Sequence, residues 1–180
     1  MLGRKKQKDK ERRFAEEALI HMDSLHGGAV YLTKNQSEAD DLVQDTFLKA
    51  YRNFDKYQEG TNCRAWLYRI MTNTFLNNKR RSKRIDSFVS ADAPGDYEAY
   101  HKNPVLLAKM DPEASFVNRS LSPVVKDALE SLPEDFRAAV VLCDLQEFSY
   151  KEVSDILNCP PGTVMSRIYR GRQLLKRRLV

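Results

Sequence analysis

The densest run of groups able to grip another molecule lies at the end of the chain. From Thr163 to Val180 there are six Lys/Arg and no Asp or Glu. Val164, Ile168, Gly171 and Leu175 recur at near-helical spacing and predict a buried stripe, with Ser166, Arg167, Tyr169, Arg170, Arg172 and Gln173 facing outward. Guanidinium groups on one helix face can take a guanine edge in two hydrogen bonds or neutralise phosphates, so the chemistry implied is nucleic-acid reading. A second set spans Gly60 to Arg84. Trp66, Tyr68, Arg69, Asn73 and Asn77 interleave aromatics with Arg and Asn, and five of residues 79–84, beginning with Lys79 and Arg80, are basic. That mixture suits stacking on unpaired bases beside neutralised phosphates. Trp66 taken alone fits a helix core better, whereas the segment as a unit favours nucleic acid. The third set is Asp41, Gln44, Asp45 and Leu48, a polar patch with one leucine lying off an apolar helical stripe. It reads equally as a solvated face or as a docking face for a basic partner.

Catalytic chemistry finds little support. His21 and His26 are five apart, not the four that would align two metal ligands on a helix, and His101 stands alone. There is no Gly-rich phosphate loop and no nucleophile elbow. Cys63, Cys143 and Cys159 form no Cys-x-x-Cys pair, so neither a disulfide framework nor a zinc site is indicated. No metal, no cofactor and no enzyme activity are expected. Among the thiols, Cys63 beside Arg64 is the one reactive candidate, and Cys143 in Val140-Val141-Leu142 reads as a small core residue.

These groups need elements to position them. Ser149 followed by Glu152 is a capping-box signature, opening a short helix with Val153, Ile156 and Leu157 on one side. Asn158 to Gly162, with two prolines, stops it. Thr163 then opens the basic helix, giving a helix-turn-helix. Upstream, Ser37 to Asp40 start a helix whose buried stripe is Leu42, Val43, Thr46, Phe47, Ala50 and Tyr51, with acids in the first turn where the dipole favours them. Gly27-Gly28 and Gly60 read as breakers. β-branched alternation is absent, so the class is all-α. Residues 1–13 read as a frayed basic tail, 14–86 as one helical domain, 87–122 as a flexible linker rich in Pro, Ser and Asp, and 123–180 as a second helical domain. Net charge is +5. No apolar run approaches a membrane span and no hydrophobic stretch follows the basic start, which places the chain in the cytoplasm with no membrane partner.

The helix EADDLVQDTFLKAYRNFDKY, the segment WLYRIMTNTFLN and the terminal GTVMSRIYRGRQLLKRRL together resemble regions two and four of bacterial sigma factors of the extracytoplasmic-function group. The resemblance implies a promoter-specificity subunit of RNA polymerase. Asp41, Gln44, Asp45 and Leu48 would dock on the clamp of the largest polymerase subunit. The loop Gly60 to Ala65, with Asn62 and Arg64, and the helix through Trp66, Tyr68, Arg69, Asn73, Asn77, Lys79 and Arg80 would capture the minus-ten element. Thr163, Met165, Ser166, Arg167, Tyr169, Arg170 and Gln173 would read the minus-thirty-five element. Met165 stands where many members carry Arg, favouring a thymine methyl or a sugar over a guanine edge. GTVMSR and GTNCRAWLYRIMTNTF look similar to the actinobacterial branch that answers thiol-oxidative and heat stress, which implies a zinc-containing anti-sigma partner. A stand-alone helix-turn-helix regulator would account for residues 148–180 but for neither upstream set.

Overall fold

A computed structural model describes residues 2–89 and 121–179. Its described residues are helices and turns. Among the described residues eight α-helices run in order: α1 (Leu2–Glu17), α2 (Met22–Thr33), α3 (Gln36–Arg52), α4 (Cys63–Val89), α5 (Pro123–Glu130), α6 (Glu134–Val140), α7 (Tyr150–Leu157) and α8 (Pro161–Leu179), with short 3-10 helices at Leu19–His21 and Phe54–Lys56 and a π-helical turn at Val141–Leu145. Among these residues no helix is long and apolar enough to cross a membrane.

In the first unit, α2 is apolar on most sides and therefore lies inside, with Leu25, Ala29 and Leu32 fully buried. Gly27-Gly28, expected to break a helix, sit within it instead. A Cβ at Gly28 would lie 2.8 Å from the Tyr68 hydroxyl, so the glycine makes room for that ring. Asn35 caps α3 by accepting from the Glu38 amide at 3.2 Å. Leu42, Val43, Thr46, Phe47 and Ala50 are buried as the spacing predicts. The basic N-terminal stretch is helical and docked, not frayed. Phe14 inserts edge-on against Phe47, Tyr51 and Phe54, and anchors α1 to the end of α3.

In the second unit, Arg137 is almost wholly buried and donates to the carbonyls of Glu130 and Leu132, closing the end of α5. The expected capping box opens α7, with Ser149 and Glu152 bonded reciprocally. Asn158 ends that helix in the left-handed region (φ 48°), and α8 begins at Pro161, two residues before Thr163. Val164, Ile168 and Gly171 face inward. A Cβ at Gly171 would sit 2.7 Å from Val140 Cγ2, so α8 crosses α6 at close range.

α4 runs on to Val89, three residues past the expected boundary at residue 86. The expected flexible linker falls almost entirely outside the described residues. The two units it joins are packed together. Tyr68 of α4 meets Phe148 edge-on at 5.1 Å, and the hydrophobic core runs through both units.

Candidate nucleic-acid interface

Between the end of α3 and the middle of α4 lies a groove of about 450 Å³. Lys49, Asn53 and Lys56 line one wall, and Trp66, Arg69, Asn73 and Asn77 the other, with no acidic side chain among its lining residues. Lys49 donates to Thr74 Oγ1 at 3.0 Å and Asn53 to the Lys49 carbonyl at 2.9 Å, so this cation and this amide are placed and not merely solvated. Trp66 is half-buried against Tyr57 at 5.1 Å and offers its remaining surface to the groove. A trough with an indole, amides and three cations offers the groups that stacking on unpaired bases and hydrogen bonding to their edges would need.

Lys49, Asn53 and Lys56 escaped the sequence reading. A signal existed, since Asp41, Asp45, Lys49 and the C-cap residue Asn53 follow at intervals of four along one face of α3. That stripe changes from acid to base half-way. Its acid half borders a separate hollow of about 300 Å³ that also receives Glu38, Asn78, Lys79 and Ser82. Asp41 and Asp45 are exposed there, while Gln44 and Leu48 are half-buried. Asn78 borders both hollows, so one face of the α3–α4 pair carries an acid end and a basic end.

The proposed strand-capture residues divide into three groups. Trp66, Arg69, Asn73 and Asn77 share the basic groove. Lys79 instead pairs with Glu38 at 3.2 Å, at the acid end, and Arg80 faces a cleft toward Glu134, Asp135 and Phe136 of the second unit. Asn62, Arg64 and Tyr68 lie against the second unit. Asn62 accepts from the Ala65 amide, capping α4, and donates to Glu152 at 2.9 Å. Arg64 donates to the carbonyl and side chain of Gln146 at 2.8 and 3.0 Å and lies 4.4 Å over the Phe148 ring. Tyr68 is fully buried and donates to the Ser24 carbonyl at 2.6 Å; burial pushes its hydroxyl up to about 12. Gly28 and Phe148 enclose it, so with the two units packed together it presents no surface to a base.

On α8, Met165 is 52% and Tyr169 65% exposed, and Ser166, Arg170 and Gln173 are exposed with them. Thr163 is half-buried and accepts from Ser166 Oγ through its carbonyl. Arg167 differs from its expected outward place. Its guanidinium turns back to Asp135 at 3.4 Å and to Cys159 Sγ at 3.8 Å. Arg172 is likewise held by Asp144, through two bonds of 3.1 and 2.6 Å. The free outward face is therefore Met165, Ser166, Tyr169, Arg170 and Gln173, one side of a helix entered through a tight turn, as a major-groove reader requires.

The thiols are quieter than expected. Cys63 is buried in the first turn of α4, where desolvation pushes its pKa up to about 11, with Glu17 adding to the shift. It stays protonated near neutrality, which removes it as the reactive candidate. Cys143 is half-buried and raised by the same cause, followed by Asp144.

Residues 20–85 match the family described as Sigma-70 region 2, and residues 124–175 that described as Sigma-70, region 4. The chain is 42% identical over 156 residues to the ECF RNA polymerase sigma factor SigE of Mycolicibacterium smegmatis, covering 87% of this chain and 57% of that protein. It is 32% identical to the ECF RNA polymerase sigma factor SigW of Bacillus subtilis, covering 92% of this chain and 88% of that one. Among solved structures, the sigma factor RpoE of Bartonella quintana, in complex with the anti-sigma factor NepR, superposes with a TM-score of 0.68 at 31% identity. That likeness covers 93% of this chain and 97% of RpoE. A stand-alone regulator would share the second match but not the first. Both regions are matched in order along the chain, and it belongs to the extracytoplasmic-function group of RNA polymerase sigma factors.

Proposed function

We propose that this chain directs core RNA polymerase to its promoters by dividing three contacts among the surfaces described. The acid end of the α3–α4 face, Asp41 and Asp45 with Gln44 and Leu48, docks the clamp of the largest subunit. The basic groove at Trp66, Arg69, Asn73 and Asn77 holds an unpaired strand of the minus-ten element, joined there by Lys49, Asn53 and Lys56. The α8 face at Met165, Ser166, Tyr169, Arg170 and Gln173 reads the minus-thirty-five duplex. The reading rests above all on the α3–α4 face, whose charge inverts from one end to the other. Acid suits a basic protein surface and base suits phosphate, so one face serves two partners. Extruding a base costs a few kcal/mol, which stacking and amide contacts in a groove offset only for a base already out of the duplex. The chain supplies recognition, and the polymerase supplies the chemistry.

The packing of the second unit over Asn62 and Arg64 bears on regulation. Reaching two separated promoter elements requires the units to part, so whatever holds them together holds the protein inactive. The likeness to RpoE of Bartonella quintana, solved in complex with the anti-sigma factor NepR, supports a partner of that kind. The sequence resemblance adds that this partner carries zinc and the sensing cysteines, and the burial of Cys63 is consistent with a switch outside this chain. The site of action is the cytoplasm. The test is reconstitution with core polymerase on promoter DNA. Initiation at defined start sites, without any other specificity subunit, is the expected outcome; binding to promoter DNA but no effect on initiation would favour a stand-alone regulator.

A further inference from the structure

The first helix carries a charge excess that none of these surfaces uses. Between Arg4 and Arg13 stand seven Lys/Arg against Asp9 and Glu11. Part of this charge is spent on anchoring. Gln7 donates to the Tyr51 hydroxyl at 2.6 Å, and Lys10 lies over the Tyr51 ring and pairs with Asp55 at 2.7 Å. Arg13 pairs with Glu59 at 3.0 Å, and Arg12 with Asp9 and Glu16. Lys5, Lys6 and Lys8 are exposed and take part in no ion pair among the described residues.

These anchors fix where α1 lies. Asp55 and Glu59 flank Lys56, which lines the basic groove, so α1 is pinned to the segment that closes one end of that groove. Ring steps of 5.2 Å from Phe14 to Phe54 and 6.3 Å from Phe54 to Trp66 connect the helix to the groove wall. Lys8 and Lys5 stand six and nine residues before Phe14, roughly 9 and 14 Å further along α1 at about 1.5 Å per residue. The path from groove to lysines therefore spans at most about seven nucleotides at a rise of roughly 3.4 Å each.

We propose that α1 is an additional nucleic-acid contact, in which Lys5, Lys6 and Lys8 neutralise phosphates of the promoter strand flanking the segment held in the groove. The proposal rests on the reading of that groove as a strand site. Bare lysines on a rigid helix act as point charges for a phosphate backbone and carry no sequence preference. A bilayer is a poor alternative, since Phe14 and Ala18 are spent inward and the outer face offers no apolar stripe.

The test uses holoenzyme made from the full chain and core polymerase on a promoter carrying a premelted bubble. Each single-strand phosphate neutralised, with release of its counterions, contributes about −0.7 to the log–log salt slope. Lys5→Ala/Lys6→Ala/Lys8→Ala should make the slope shallower by about two with base preference unchanged, while replacing all three by Arg should preserve it. A photo-crosslinker at position 6 should label the promoter strand. Wild-type base preference with an unchanged slope in the triple variant, or crosslinks only to polymerase subunits, would overturn the α1 contact alone. A wild-type holoenzyme lacking base preference would overturn the groove reading and this proposal with it.

Discussion

Asn73 and Arg167 both looked like recognition residues, yet their surroundings assign them different work. Asn73 lies in the basic groove near Trp66 and Arg69. An amide can read a base edge only after the base has left the stack, so Asn73→Ala should leave duplex binding near normal and impair open-complex formation. Permanganate reactivity of the melted thymines measures this, and normal reactivity with unchanged base preference would exclude Asn73 from the site. Arg167 is turned toward Asp135 and Cys159. Arg167→Ala should therefore cost up to about 1 kcal/mol of stability, as a partly exposed ion pair does, and leave base preference intact. Arg170→Ala should do the reverse. A thermal melt paired with binding to a set of single-base substitutions of the minus-thirty-five element distinguishes them. Relaxed preference in Arg167→Ala would show that its side chain swings outward on DNA.

At the scale of elements, α3 is a helix with one face for packing and one for partners. Asp41→Ala combined with Asp45→Ala removes two exposed carboxylates and should leave the fold intact. Truncating one partner of a charge pair desolvated in an interface costs about 2–5 kcal/mol, so core-polymerase affinity should fall by an order of magnitude or more. Pull-down at wild-type strength by the folded double variant would reject the docking assignment. The close helix crossings give a prediction of sign. Gly→Ala at an open helical position stabilises by about 1 kcal/mol. At Gly28 the new methyl meets the anchored Tyr68 hydroxyl, and at Gly171 it meets the stiff Val140 side chain. Each substitution should instead destabilise, by about 1–3 kcal/mol from overpacking. Denaturant melts decide it, and a rise in midpoint at either position would mean that the neighbour yields without cost.

Across the whole molecule, the two units are joined through a small set of side chains. Arg64 and Tyr68 meet Phe148, Ser24 and Arg64 meet Gln146, Asn62 meets Glu152, and Lys83 pairs with Glu134 at 2.9 Å. Phe148 is central to them. Phe148→Ala should loosen the contact by a few kcal/mol, in the range of an aromatic-to-alanine truncation, and Arg64→Ala should act more mildly in the same direction. Fluorescence transfer between dyes on α3 and α8 should fall in both variants. Unchanged transfer would show that these side chains do not govern closure.

The sequence by itself determined the all-helical class, the capping box at Ser149, most of the buried stripe of α3 and the inward positions Val164, Ile168 and Gly171 of α8, because periodicity and caps are local properties. It also carried the family resemblance, which rests on short ordered motifs. Only the tertiary structure decided which polar residues share a surface. Tyr68 and Trp66 stand two residues apart in similar company, but Gly28 and Phe148 bury the first while the second borders an open groove. Lys49 and Asn53 belong to that groove because α4 lies across the end of α3, a contact no window of sequence contains. Lys79 and Arg167 were drawn away by carboxylates 41 and 32 residues distant in the chain, Glu38 and Asp135. Helical spacing tells which side of a helix a residue occupies, and packing alone decides what lies opposite.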